Sequence, residues 1–377
     1  MKRCQRAILG LAALGCLWLG AAQALAQASL KLGQSLPLSG PLGERGGEYR
    51  DGALAYFKWI NSKGGVHGRR IELLSLDDGA GVEKTVANAR RLLDQEGVLA
   101  FFGMAGTANY AALLPLIAER QVVSLAPYTG SDELRRANSP YTFWLRASYS
   151  DEAEQIVDQL TTIGIHRIAV FYQDDAFGRD AMAGVDRALE KIGLKIHAAA
   201  SYDRNNGEVG AAVKAIAAAQ PQAVVMISTD APTAAFVRQL RRTGQRPQLF
   251  ALSETSHRRL QADLGSESAG IAFSQVVPHP GRGGIAAARE SDSLPKEFLP
   301  PGGMTYTRFE GYLAAKVMVE ALRRAGPQPT REKLLAALES MKPYDAGGFS
   351  VSFGRRERLG SRYVDIAIVG SNGLLMR

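Results

Sequence analysis

After about residue 28 the chain alternates short apolar runs with longer amphipathic stretches, the pattern of parallel strands covered by helices. In the first series the apolar runs predict strands over Leu30 to Gln34, Arg70 to Leu76, Leu99 to Gly103 and Val122 to Ala126. Helices are expected between them, at Gly47 to Ser62, Glu83 to Asp94 and Asn109 to Arg120. In the first helix Ala53, Tyr56, Phe57 and Ile60 recur at helical spacing and mark the buried side. Gly64 and Gly65 then stop it.

A second series begins with a helix over Asp151 to Thr162 and a strand over His166 to Tyr172. It continues as a helix from Arg179 to Ile192, a strand near Lys195 to Ala200, and a helix from Val209 to Ala219. A buried strand at Ala223 to Ser228, a helix at Pro232 to Thr243 and a strand at Leu249 to Leu252 complete it. From about Pro280 to Lys342 the pattern is mostly helical, clearest at Tyr312 to Arg324 and Arg331 to Met341. Gly281 to Pro301, rich in glycine and serine, reads as a flexible surface stretch.

About 350 residues exceed what one core supports, so two lobes with separate cores are expected. The fold class is α/β, with two doubly wound lobes. Three segments read as crossovers between them: Trp144 to Ser148, Phe273 to Pro278 and Phe349 to Phe353. The expected division assigns residues 27–145 and 279–346 to the first lobe, and 146–278 and 347–377 to the second.

Residues 1–26 read as a secretory leader. Lys2, Arg3 and Arg6 precede an apolar stretch from Ala7 to Ala22, and Ala24-Leu25-Ala26 offers a cleavage site, with Ala28 an alternative. Both cysteines, Cys4 and Cys16, lie in that leader, so the mature chain is expected to form no disulfide. The formal net charge of +8 falls to +5 once the three leader cations are removed. The remaining basic residues are scattered as pairs such as Arg241-Arg242, so no concentrated face for nucleic acid is expected. His67, His166, His197, His257 and His279 have no metal-ligand spacing, and the chain carries no GxSxG elbow or phosphate-binding loop. No metal or other cofactor is expected.

In open α/β sheets ligands bind beyond the carboxyl ends of the strands, which directs attention to four loop groups. Leu38-Ser39-Gly40-Pro41 is either a plain turn or a contact through Ser39 and the backbone. Ala105, Gly106 and Thr107 run from a strand into a helix, where exposed amides and the helix dipole suit a carboxylate. There Thr107 is either a hydroxyl donor or an N-cap. Tyr128 and Thr129 end the next strand as an aromatic beside a hydroxyl; Tyr128 is either a ligand contact or only packing at the rim, and Thr129 is the better hydrogen-bonding candidate. On the second lobe Phe177 is placed to close over an aliphatic group, and Asp230 and Glu254 to pair with an ammonium. Asp230 has the alternative of capping the following helix.

These loops resemble the branched-chain amino-acid type of periplasmic substrate-binding protein that serves ABC importers. The resemblance rests on LKLGQSLPLSGPLG, YRDGALAYFKWINSKGGVHGRRIELLSLDDG, VANARRLLDQEGVLAFFGMAGTAN, RIAVFYQDDAFGRDAMAGV and GGFSVSFG, in this order over nearly the whole mature chain. It implies a type I periplasmic binding fold of two Rossmann-like lobes that close on a ligand. By position it puts carboxylate contacts on Ala105 to Thr107 and on Tyr128 and Thr129, an aromatic lid on Phe177, and the partner of an α-ammonium on Glu254. Ala105 stands where amino-acid binders often have serine, and Asp230-Ala231 where an aromatic is common; similar sequences bind amides, aromatic acids or other small polar compounds. The expected function is therefore capture of a small polar ligand, an amino acid or related compound, by a periplasmic monomer that delivers it to permease subunits. The competing readings are a soluble sensor for a membrane receptor and an enzyme.

Overall fold

The computed structural model describes residues 28–281 and 283–376. The leader assigned to 1–26 and its two cysteines lie outside the described residues. The first series forms β1 (Leu30–Leu36), α1 (Gly43–Ser62), β2 (Ile71–Asp77), α2 (Val82–Asp94), β3 (Ala100–Phe102), α3 (Thr107–Arg120), β4 (Ser124–Leu125), α4 (Asp132–Arg136) and β5 (Thr142–Phe143). The second comprises α5 (Tyr149–Thr162), β6 (Ile168–Gln173), α6 (Ala176–Glu190), β7 (Ala198–Tyr202), α7 (Gly210–Ala219) and β8 (Ala223–Ile227). It ends with α8 (Asp230–Arg242), β9 (Gln248–Ala251), α9 (His257–Leu264) and β10 (Ile271–Gln275). The chain then returns through α10 (Ala286–Asp292), α11 (Tyr306–Ala325), α12 (Arg331–Glu339), β11 (Tyr344–Asp345) and β12 (Ser350–Val351), and finishes in β13 (Asp365–Val369) and β14 (Leu375–Met376).

Two sheets result. The first has the order β2-β1-β3-β4-β5 and is parallel throughout. The second has the order β14-β13-β10-β9-β8-β6-β7, parallel from β10 to β7, with β13 and β14 added antiparallel at one edge. A parallel sheet is covered on both faces, so its central strands need apolar residues at every position. Accordingly all five residues of β8, Ala-Val-Val-Met-Ile, are buried. Local signals start the helices. Ser148 and Asp151 form a reciprocal capping box on α5, Asp175 caps α6 by accepting from the Gly178 amide at 3.1 Å, and Thr305 caps α11. Among the described residues no helix is long and apolar enough to cross a membrane.

Several boundaries differ from those expected. β7 begins at Ala198, because parallel pairing to β6 engages only Ala198 to Tyr202. α1 begins at Gly43, and α3 begins at Thr107 after Gly106, which sits at the N-cap with a φ of 92°. The stretch taken as flexible surface contains α10, whose Ala287 and Ala288 are fully buried against the first core. Phe273 to Gln275 belongs to β10 and is not a crossover; the chain leaves the second sheet after it.

The third crossover also lies elsewhere. Phe349, Val351 and Phe353 pack in the core of the first sheet, with Phe353 edge-on to Phe143 at 5.2 Å. Leu359 forms a bridge with Trp144, and Arg358 pairs with Glu339 of α12 at 2.7 Å. The passage to the second sheet therefore falls between Gly360 and Asp365, and residues 347–360 stand with the first lobe rather than the second.

Candidate functional site

The carboxyl ends of the strands in both sheets meet at one cavity of about 210 Å³. From the first lobe its wall takes Ser39, Arg45, Ala105, Gly106, Thr107 and Tyr128. From the second it takes Tyr149, Gln173, Asp175, Phe177, Arg204 and Glu254. Of the residues expected from the sequence, Ser39, Ala105, Gly106, Thr107, Tyr128, Phe177 and Glu254 are thus brought together. Thr129 and Asp230 stand behind the wall.

Each has a local reason for its position. Ser39 is exposed and donates its hydroxyl to Asp77 at 2.6 Å, which, with the Leu38 amide, holds the Asp77 carboxyl well below its ordinary range. Ala105 and Tyr128 form a parallel bridge that extends β3 and β4, and the Gly106 amide donates to the Tyr128 carbonyl at 3.2 Å. Thr107 is the first residue of α3 and not its N-cap. The next amides of that helix have no carbonyl one turn earlier to accept them, and Thr107, Ala108 and Asn109 all line the cavity. Tyr128 is buried against Tyr49 with ring centroids 4.9 Å apart, and its backbone follows Ala126, held at a φ of 53°. Phe177 packs edge-on against Tyr149 at 5.2 Å.

A chain of hydroxyls crosses between the lobes. Thr107 and Thr129 are bonded at 2.8 Å, Thr129 and Tyr149 at 3.3 Å, and Tyr149 donates to Glu254 at 3.4 Å. Thr129 accordingly acts behind the wall, through its neighbours.

Glu254 is the centre of the electrostatics. Arg146 Nη1 reaches one carboxylate oxygen at 2.6 Å and Arg45 Nη1 the other at 2.7 Å. Burial works to raise the Glu254 carboxyl, but the two guanidinium charges and their hydrogen bonds outweigh it and hold the group below its ordinary value. Arg45 also pairs with Asp230 at 3.3 Å, and Asp230 accepts the Ser256 amide at 2.6 Å. The alternative that Asp230 caps the helix after it is not what forms: Asp230 lies within α8 and its N-cap is Thr229. On the far side of Arg146, whose side chain is 1% exposed, lie the buried carboxyls Glu152 and Glu310. Burial pushes Glu310 up to about 7, opposed by Arg146 and assisted by Glu254 and Glu152. Glu152 is raised too, chiefly by burial, although it accepts from Ser253 and Ser274.

Sequence reasoning did not name Arg45, Arg146, Tyr149, Gln173, Asp175 or Arg204 as site residues. Arg146 had a signal: it is the single charge in the apolar crossover Trp144 to Ser148, where an unpaired cation would be costly. Arg45 had none, since its position in the first turn of α1 follows from where that helix starts.

The geometry suits enclosure of a small polar molecule between two lobes. In agreement with it, the sequence matches a family described as periplasmic binding protein over residues 29–373. A Leu/Ile/Val-binding protein homolog 7 of Brucella abortus is 26% identical over 337 residues, 83% of this chain and 82% of that protein. The crystal structure of a substrate-binding periplasmic protein from Ralstonia solanacearum is 38% identical, with a TM-score of 0.86, over 92% of this chain and 99% of that one. A branched-chain amino acid ABC transporter protein from Thermus thermophilus with bound valine shares the fold at 21% identity, with a TM-score of 0.83 over 93% and 95% of the two chains.

Proposed function

The chain belongs to the periplasmic binding protein family, and from that premise we propose that it captures a small polar solute, an amino acid or related compound, and delivers it to an ABC importer. The observation that carries this reading is the cavity itself: loops at the carboxyl ends of strands in both sheets converge on one cleft between the lobes. The solute docks on the first-lobe loops, including Ser39, Ala105 to Thr107 and Tyr128. The second lobe then swings over it with Phe177 and Glu254, and the closed form is the one presented to the permease. Closure removes water, which strengthens the few charged contacts that remain. The protein acts as a monomer in the periplasm after loss of its leader, and it returns the solute chemically unchanged.

The test is a melting screen of the mature protein against a broad panel of amino acids, organic acids and amides, with solution scattering on each hit. Capture requires a compound that raises the melting temperature and reduces the radius of gyration. A panel with no effect on either quantity overturns it.

A further inference from the structure

The amino-acid type of ligand carries both a carboxylate and an ammonium, and the walls of this cavity treat the two groups unequally. Glu254, the acid expected to receive the ammonium, has one oxygen on Arg45 and the other on Arg146. Asp230, the second acid expected there, is bonded to Arg45 and to the Ser256 amide and is not part of the wall. Asp175 caps α6 and pairs with Arg204 at 3.4 Å. Each acid close to the cavity therefore already has a cationic partner. An ammonium entering would have to displace a guanidinium from Glu254 and break a buried ion pair, which is costly.

Arg45 holds two of those acids at once, Glu254 and Asp230, so no carboxylate of the wall is left for an incoming cation. Arg45 lines the cavity with its side chain 7% exposed, and its Nε is buried without an acceptor. Thr107, Ala108 and Asn109, the first turn of α3, line the same space, on the end of the helix where its dipole is positive. A helix N-terminus and one buried guanidinium N–H without an acceptor thus both offer donors to a carboxylate at one site.

We infer that the ligand is a carboxylic acid without an α-ammonium group, such as a 2-oxo acid, and that Arg45, by occupying Glu254, is the residue that excludes amino acids. This rests on the solute-capture reading and narrows its ligand class. The carboxylate sits toward the start of α3, and the position an amine would take is filled by the guanidinium.

The test uses matched pairs on the purified mature protein: 4-methyl-2-oxopentanoate against L-leucine, 3-methyl-2-oxobutanoate against L-valine, phenylpyruvate against L-phenylalanine, and 2-oxoglutarate against L-glutamate. The inference expects at least one oxo acid to bind on the order of tenfold more tightly than its amino partner by calorimetry, a difference of about 1.4 kcal/mol. In Arg45→Met the preference should shrink or reverse, because Glu254 then keeps only Arg146. Should Arg45→Met fail to fold, the wild-type pairs decide alone. An amino acid that binds as tightly as its oxo acid, or binding confined to amines and amides, overturns the inference and leaves solute capture standing. Absence of binding by every compound in the wider panel overturns both.

Discussion

Arg45 and Glu254 are 209 positions apart in the chain and meet at 2.7 Å, one on a first-lobe helix and the other on a second-lobe loop. Their bond joins the two lobes, so it reports how the lobes meet as well as charge balance. A double-mutant cycle of Arg45→Ala and Glu254→Gln, measured by denaturant unfolding, should give a coupling energy of ~1–3 kcal/mol. Glu254→Gln alone should cost about 3 kcal/mol, because two buried guanidinium groups, Arg45 and Arg146, each lose a carboxylate partner. Additive effects in the cycle would mean that the two side chains are apart in solution.

Glu310 gives the protein a pH dependence whose sign follows from its burial. Burial holds its carboxyl at about 7, against an ordinary 4.5, so between those values the folded protein keeps a proton that the unfolded chain has released. Folding stability from this group is therefore lost as pH rises from 4.5 through 7. Glu310→Gln removes the effect: the variant should match wild type near pH 5 and exceed it by ~1–3 kcal/mol at pH 8. The difference between the two proteins is the readout. His257, held down at about 4 by burial and by Arg258 and His279, contributes the opposite slope below 6.5 in both.

The packing of α1 on α11 depends on two glycines. A Cβ at Gly52 would stand 1.8 Å from the Arg308 carbonyl oxygen, and one at Gly311 would stand 2.0 Å from that of Tyr49. Backbone cannot yield as a side chain can, so Gly311→Ala should destabilise the protein by at least ~2 kcal/mol in chemical denaturation. A wild-type unfolding midpoint for that variant would show that the helices are not in this contact.

Thr129→Val tests the hydroxyl chain. It leaves Thr107 and Tyr149 each without a bond they now make behind the cavity, at an expected cost of ~1–3 kcal/mol. Ligand affinity should also fall, since Thr107 and Tyr149 both line the wall. An unchanged affinity would separate that chain from the site.

The α/β class and most of the strands were legible because fully buried parallel strands write themselves as unbroken apolar runs, as in Ala223 to Ile227. β13 and β14 were not, since they join antiparallel at an edge where Ile368 and Met376 are exposed, and the apolar signal is diluted. The third crossover was misplaced because Phe349, Val351 and Phe353 alternate like a strand wherever they pack, and the sequence does not say against which sheet. At the site, the loops following strands were found through topology alone. The ionic partners of Glu254 were not, because a pair between residues so distant depends on how the lobes meet and leaves no local pattern.

Under solute capture the cavity holds a small molecule and gives it back unaltered. Native mass spectrometry of the mature protein recovered from its own periplasm, followed by identification of the released compound and its re-incubation with fresh protein, tests this most directly. Capture should give one non-covalent adduct whose mass and identity are the same after release and after re-incubation. A compound that emerges converted to another species, or a protein that carries and takes up nothing, contradicts it.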